Sequence, residues 1–354
     1  MKHPALALAV MAALFPCHGA QAQSTTQVYG LIDAGVELVD HARSGADGGA
    51  GGKLLKVVSG GKNTSRWGIR GSEELGGGLK AVYNLEGGIL IDSGESDGAI
   101  FKRQAYVGLD GALGRIVIGR SFTTTYELVI KFDPLGFAPN YSWATGGSAS
   151  GPSKYGMTTQ FDNLVKYTGK RGGFTYGASL GLGERSESSA DGRKIALGGA
   201  WAGGGLGLMA AWERINGVTP AAGAARDAAT AWHLAANYAR GDWRHTLGMR
   251  AYQSRGATAL RAHTFWGGVT REIDALTLTA AVYHIDTRNQ GALPDANPTL
   301  LVLRAMVALS PRTVLYLSAA RARAAEGQTI SLSRDDVGYG STQRGLTAGI
   351  QHRF

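Results

Sequence analysis

The chain has 354 residues, with 36 Lys and Arg against 27 Asp and Glu, and a single cysteine, Cys17. The basic residues form no run, and neither a zinc-ligand spacing nor a recognition-helix pattern occurs, so no nucleic acid is expected as a partner. Glycine, with 54 residues, is about twice as frequent as usual, which argues against helices and favours turns and curved strands.

Residues 1–22 have the pattern of a secretory signal peptide. A basic start is followed by a short apolar core at 5–15 and a small-x-small cleavage site at 20–22. A lipoprotein anchor at Cys17 is the alternative, but a bulky residue and a proline precede this cysteine where small residues are needed. We therefore expect an exported protein.

Residues 23–354 are predicted to form one domain made of β-strands. This part of the chain has no cysteine for disulfides or thiolate metal ligands, and neither a metal nor a cofactor is expected. It has no apolar stretch of 18 residues or more, which excludes helical membrane spans. Apolar and polar residues instead alternate over segments of about 9–12 residues. The clearest segments are 27–40, 64–73, 79–87, 174–182, 244–251 and 276–282.

Two folds explain this alternation. In a soluble sandwich the apolar faces of two sheets meet, whereas in a transmembrane barrel they face lipid and the polar faces line water. The segment length favours the barrel, because soluble strands are usually about 5–6 residues long. Roughly sixteen segments are joined alternately by short turns, such as 76–78, and by long polar stretches, such as 42–62. The predicted fold is an all-β, transmembrane, antiparallel 16-stranded β-barrel.

Three segments, 99–109, 262–273 and 299–309, are apolar or mixed on both faces. Their facing stays unassigned, since they could contact either a second protomer or a loop inserted in the barrel. In the clearer segments, charged side chains are assigned to the lumen, because an Arg or Lys facing lipid costs about 2–4 kcal/mol near the midplane.

The last strand, residues 344–354, alternates cleanly and ends on an aromatic residue. The last strand of a membrane barrel must pair with its first, so that no open edge remains in lipid. The pattern Thr347-x-Gly349-x-x-His352-x-Phe354 resembles the C-terminal assembly signal of bacterial outer-membrane barrels. We assign these residues to barrel closure, with His352 on the lipid-facing side.

Six further stretches carry a family resemblance. They are residues 27–33, 65–81, 83–86, 103–109, 114–120 and 161–167. In this order they resemble the first six strands of the general porins of Gram-negative bacteria, most closely the beta-proteobacterial type. The resemblance implies a homotrimer among outer-membrane lipids, and a long third loop, residues 121–159, that folds into the lumen as the constriction.

The predicted constriction wall is basic. Alternation directs Arg66 and Arg70 into the lumen from one strand and Lys80 from the next. The resemblance maps the wall arginine cluster of the family onto Arg66 and Arg103. The family often has an arginine just before its sixth-strand motif, where this chain has Gln160, and this departure removes one positive charge.

The predicted constriction loop is poor in acids. It has two carboxylates, Glu127 and Asp133, and also two lysines, Lys131 and Lys154. Facing a basic wall, this loop should leave the constriction net positive, so we expect a preference for anions. The overall formal charge of +9 supports this weakly, because salt screens distant charges over about 8–10 Å.

Three other functions compete with that of a passive channel. An outer-membrane hydrolase needs a nucleophile and base, but the histidines form no catalytic motif and no Gly-x-Ser-x-Gly elbow occurs, so no enzyme is expected. A plugged or adhesive barrel needs a plug or passenger domain, for which the chain has no spare residues. A substrate-specific channel for small carboxylates or phosphate shares the fold and stays open. The expected function is a porin for small hydrophilic solutes and ions, inorganic anions above all.

Overall fold

The computed structural model describes residues 24–44, 49–136, 138–144, 158–219, 225–256, 260–288, 297–325, 329–333 and 340–354. The predicted signal peptide and part of the predicted constriction loop, including Phe137 and Lys154, lie outside these residues. No helix among the described residues is long and apolar enough to cross a membrane.

The described residues form seventeen strands, one short α-helix and one 3-10 turn. The strands are β1 (Ser24–Ser44), β2 (Gly49–Ser59), β3 (Arg66–Gly76), β4 (Leu79–Gly88), β5 (Gln104–Gly111), β6 (Gly114–Phe122), β7 (Gln160–Arg171), β8 (Phe174–Gly181), β9 (Lys194–Gly203), β10 (Leu206–Asn216), β11 (Ala228–Arg240), β12 (Trp243–Arg255), β13 (Arg261–Ile273), β14 (Leu276–Arg288), β15 (Thr299–Ala308), β16 (Thr313–Arg323) and β17 (Thr342–Arg353). Helix α1 (Thr124–Val129) and the 3-10 turn (Ile130–Phe132) lie between β6 and β7.

The strands close into an antiparallel barrel. From β3 to β17 each strand pairs with the next, and β17 pairs with β1, from Leu31 opposite Arg353 to Val39 opposite Gly345. β2 and β3 lie one after the other along the same edge of β1, at its two ends. They occupy one position, so the described strands fill sixteen positions around the barrel, which confirms the predicted fold.

Side chains alternate between lipid and lumen as the sequence pattern predicts. In β1, Val36 and Leu38 face outward and are exposed, whereas Glu37 between them is buried inside. The register also decides the facing of β5, β13 and β15, the strands in the three unassigned segments. In β15, for example, Leu303 is 65% exposed on the outside and Val302 is 2% exposed on the inside.

The inward apolar residues of β13 and β15 belong to an apolar core inside the barrel, where a simple channel would hold water. Trp266, Leu300 and Val302 pack there with Phe132 and Leu135 of the chain segment between β6 and β7. Of the two explanations for a strand that is apolar on both faces, the inserted loop therefore accounts for β13 and β15.

The chain end seals the barrel. The backbone N–H of Phe354 donates to the carbonyl of Gly30 (3.2 Å), and the Gly30 N–H donates back (3.1 Å). Beside this seam, the Tyr316 hydroxyl donates to Asp33 Oδ1 (2.7 Å), and its ring lies over Gly349. His352 faces outward, and its Nδ1 lies 2.9 Å from Thr313 Oγ1.

We predict that Gly349→Val destabilises the barrel by about 1–3 kcal/mol, the usual cost of overpacking. A side chain at this position overlaps the Tyr316 ring, so the ring must move and its hydrogen bond to Asp33 is lost. The temperature at which the folded form loses its fast gel mobility measures the effect. The control is Ala348→Val, which adds its methyl groups on the lipid side of the same strand; equal melting of both variants would contradict the prediction.

Candidate pore constriction

The segment after β6 turns into the barrel through a short helix. Thr123 caps α1, since its Oγ1 accepts a hydrogen bond from the Tyr126 N–H (3.0 Å). The N–H of Thr124 donates to Ser179 Oγ on β8 (2.9 Å), which fixes the helix start against the inner wall. Because Leu128, Val129 and Phe132 are buried, the helix and the 3-10 turn pack on that wall instead of crossing open water.

Hydrogen bonds from inward-facing side chains then hold described residues further along this segment. Their donors lie on four different strands, and their acceptors lie between Phe132 and Ala144. They are Arg250 Nη1 to Ala144 O (2.8 Å), Trp266 Nε1 to Phe132 O (2.7 Å), Tyr283 Oη to Asp133 Oδ1 (2.6 Å) and Arg304 Nη1 to Leu135 O (3.1 Å). Tyr141 Oη donates back from the segment to Glu37 Oε1 on β1 (2.8 Å).

Inward-facing glycines allow this close approach. A Cβ on Gly268 of β13 would overlap Pro134, and a Cβ on Gly345 of β17 would overlap the Tyr141 ring. Any larger residue would therefore push the segment away from the wall. The excess of glycine thus has a function beyond the turns and curvature that composition alone indicates.

The open side of the lumen has a cluster of two arginines and one carboxylate. Arg103 Nε donates to Glu86 Oε1 (2.7 Å), while Arg66 Nε lies 3.8 Å from Glu86 Oε2. The Tyr29 hydroxyl donates to the same Oε2 (2.7 Å). Arg66 also donates from Nη1 to the Thr64 carbonyl (3.0 Å) and keeps 26% of its side chain exposed to the lumen. One carboxylate thus serves two guanidinium groups, and a positive charge is left over.

Arg70 and Lys80 do not join this cluster. Arg70 lies further along β3, where it stacks on Tyr29 (4.7 Å to the ring centroid) and donates to Gln27 Oε1. Lys80 lies beside the short turn between β3 and β4 and pairs with Glu74 at 2.5 Å. Alternation assigned both to the lumen side, but it contains no information on their height in the barrel.

The two predicted loop acids also lie apart from the arginines. Glu127 Oε1 accepts from Lys166 Nζ of β7 (2.8 Å). Asp133 is buried and accepts from Tyr283 and from Ser142 Oγ (2.6 Å), so it anchors the segment. Gln160, at the start of β7, accepts from the Thr159 hydroxyl. Neither carboxylate therefore neutralises Arg66 or Arg103 directly.

Sequence reasoning missed a further lumen cation, Lys62. It was counted in a long outer stretch, but the break between β2 and β3 brings it inside, where its Nζ donates to Gln351 Oε1 (3.2 Å). There it lies within electrostatic range of Arg66, Arg304 and Arg353. Asp33 is the neighbouring acid, and it is engaged by Tyr316 and by the Asn63 N–H (2.8 Å). The lumen position of Lys62 could have been predicted only if the break between β2 and β3 had been predicted first.

Below the arginines, a chamber of about 640 Å³ lies between α1 and the wall of β5–β8. Four cationic side chains and two carboxylates line it: Arg115, Lys131, Lys166, Lys170, Asp110 and Glu127. Asp110 pairs with Arg115 (2.5 Å) and Glu127 with Lys166, and no ion pair of the described residues engages the other two lysines. The chamber is therefore also net positive.

Comparisons with known proteins agree with this architecture. The sequence profile of the Gram-negative porin family matches residues 5–327. Outer membrane porin protein 32 of Delftia acidovorans is 28% identical over 368 residues, which span 100% of both chains. An outer membrane porin protein of Bordetella pertussis is 34% identical over 194 residues, or 50% of this chain and 47% of that protein.

Two solved structures share the fold. The anion-selective porin from Comamonas acidovorans superposes with a TM-score of 0.79 at 24% identity, over 94% of this chain and 100% of that one. OmpT of Vibrio cholerae, in a trimer form, superposes with a TM-score of 0.68 at 16% identity, over 94% and 99% of the two chains. With the closed barrel, the family match leads to one assignment: the chain belongs to the Gram-negative porin family.

Proposed function

We propose that this porin conducts small hydrophilic solutes across the outer membrane by passive diffusion, prefers anions and works as a homotrimer without catalytic activity. The observation that carries the preference for anions is the shared carboxylate of Glu86, which faces both Arg66 and Arg103. The name of the Comamonas structure and the trimer form of OmpT support the selectivity and the assembly.

Three carboxylates near the passage are already engaged by protein side chains. Asp33 and Asp133 accept hydrogen bonds from tyrosines, and Glu86 is divided between two arginines. Lys62 and Arg304 lie within electrostatic range of Asp33, and Arg66 and Arg103 pair with Glu86, while Arg353 adds a further positive charge near Lys62. Positive charge therefore predominates over these three acids. A unit charge about 10 Å from an ion in water is worth about 0.4 kcal/mol, which changes the local concentration of each ion about twofold. Salt screening reduces this energy, so that the anion-to-cation ratio changes about twofold. Several such charges give a clear preference without binding the anion tightly.

A substrate-specific channel for small carboxylates or phosphate is the second candidate. The chamber beneath α1 favours it, because Lys131 and Lys170 line it from opposite sides and have no acid of their own among the described ion pairs. A solute with two negative charges would bridge such lysines. Saturation of the conductance at millimolar phosphate, but not at the same concentration of chloride, would favour this candidate over general diffusion.

We predict that Arg66→Gln lowers the chloride-to-potassium permeability ratio about twofold, because one unit charge leaves the passage. Single trimers in a planar bilayer under a tenfold KCl gradient give this ratio from the zero-current potential. Lys80→Gln is the control, since it removes the same unit charge beside the short turn, away from the two arginines. The zero-current potential of this variant should stay at the wild-type value. A larger shift with Lys80→Gln than with Arg66→Gln would contradict the proposed site.

We predict that the double variant Trp266→Phe, Tyr283→Phe loosens the segment in the lumen. Each change removes one donor from a buried acceptor, the Phe132 carbonyl or Asp133 Oδ1, at a cost of about 1–3 kcal/mol. Current recordings should then show more frequent transitions between conductance levels. Trp232→Phe, on the lipid side, is the matched control; unchanged recordings for the double variant would show that these bonds do not hold the passage.

A further inference from the structure

Two arginines lie side by side on the outside of the barrel. Arg321 of β16 and Arg344 of β17 are directly opposite one another in the register. Both are exposed, while their neighbours Ala322 and Gly345 are buried on the lumen side, so both guanidinium groups point outward. They lie towards the end with the long connections, which is the extracellular end of a barrel of this class. Arg323 faces the same way, two residues along β16.

Such a pair is unfavourable by itself. Like charges directly opposite on neighbouring strands repel one another, and an arginine that faces the bilayer adds a further cost. Among the described residues, no carboxylate lies within ion-pair distance of the three guanidinium groups. Asp40 of β1 accepts from the backbone N–H of Arg344 (2.5 Å) and pairs with His41 (3.2 Å). An anion from outside the chain would remove the repulsion.

An apolar groove on the lipid side begins at Arg321. It has a volume of about 800 Å³ and crosses β12 to β16, from Arg321 to His245. Its floor consists of the small residues Gly267, Ala280 and Ala319, and exposed aliphatic side chains such as Leu301 and Leu303 form its sides. A groove of this shape fits a hydrocarbon chain, and its one charged end fits the headgroup of the lipid to which that chain belongs.

We propose that this face binds a phosphorylated glycolipid of the outer leaflet. Its phosphate lies between Arg321 and Arg344, and one acyl chain lies along the groove over Ala280 and Ala319. A phosphate monoester carries between one and two negative charges and accepts bidentate hydrogen bonds from guanidinium, so it matches two opposed arginines. The single charge of a phospholipid diester matches them less well. The interaction orders one lipid on a part of the wall remote from the passage.

A second outward pair provides an internal comparison. Arg261 of β13 and Arg288 of β14 are also directly opposite one another near the same end. However, Asp286 lies 3.4 Å from Arg288, and neither arginine lines the groove. This pair lies near the same end, but Asp286 already supplies a counter-charge and the groove does not reach either arginine.

The test titrates the folded trimer in detergent with diphosphoryl lipid A and counts bound lipid by native mass spectrometry. We expect Arg321→Ala with Arg344→Ala to weaken binding about tenfold or more, because two charge-assisted contacts are lost. Arg261→Ala with Arg288→Ala is the matched control and should bind within about twofold of wild type. Equal loss in the two double variants would overturn the site.

Two further arms separate the headgroup from the chain. Ala280→Phe fills the groove but keeps both arginines, and it should weaken lipid A binding while leaving the conductance unchanged. Dephosphorylated lipid A and phosphatidylglycerol should each bind about tenfold more weakly than lipid A. Phosphatidylglycerol binding as tightly as lipid A would overturn the assignment to a glycolipid.

Heat-dependent gel mobility shows whether each variant is folded. If Arg321→Ala with Arg344→Ala does not fold, Arg321→Lys with Arg344→Lys decides. Lysine keeps the charge but loses the bidentate geometry, so binding should fall several-fold, and wild-type binding by this variant would overturn the proposal.

Discussion

The structure depends on one constraint, that a backbone N–H or C=O facing hydrocarbon must find its partner within the protein. No edge can therefore stay open, and β17 must reach β1 even though more than 300 residues separate them. The seam is accordingly held by backbone and side-chain bonds together. Backbone bonds join Gly30 with Phe354, and Tyr316 reaches over Gly349 to Asp33. The membrane also sets the alternation of the regular strands, since one face must suit lipid and the other water, whereas β13 and β15 are apolar on the inner face too.

The second organising feature is a core inside the barrel. A water-filled cylinder of sixteen strands has no apolar interior, yet this chain buries Trp266, Leu300 and Phe132 within it. The segment after β6 supplies the partner surface, and it is fixed by donors from β12 to β15. Since the segment lies against that side, the passage runs along the opposite wall, where Arg66 and Arg103 are found. The position of the core thus determines which charges meet the permeating ion.

The same residue type has different roles according to its surroundings. Buried Arg250 and Arg304 hold carbonyl oxygens of the inserted segment, so their charges serve structure first. Arg66 and Arg103 share one carboxylate and leave a positive field in water. Arg321 and Arg344 face the membrane with no acid between them. A count of basic residues alone cannot distinguish these roles, and only a fraction of the net charge bears on the passage.

The sequence by itself determined the barrel, the facing of the regular strands and the closing strand, because each depends on a period-two pattern that a few residues display. The lumen position of Arg66 was within its reach for the same reason, whereas Arg103 was assigned only by the family resemblance, because segment 99–109 shows no clear alternation. The height of a residue along the barrel could not be predicted from the sequence. Lys80 was therefore grouped with Arg66 and Arg103, although the tertiary structure separates it from them. Only the tertiary structure gave the roles of Lys62, Tyr283 and Arg304. The break between β2 and β3 brings Lys62 into the lumen, and the segment after β6 packs where Tyr283 and Arg304 can donate to it. Contacts between residues so far apart in sequence leave no local pattern by which alternation could find them.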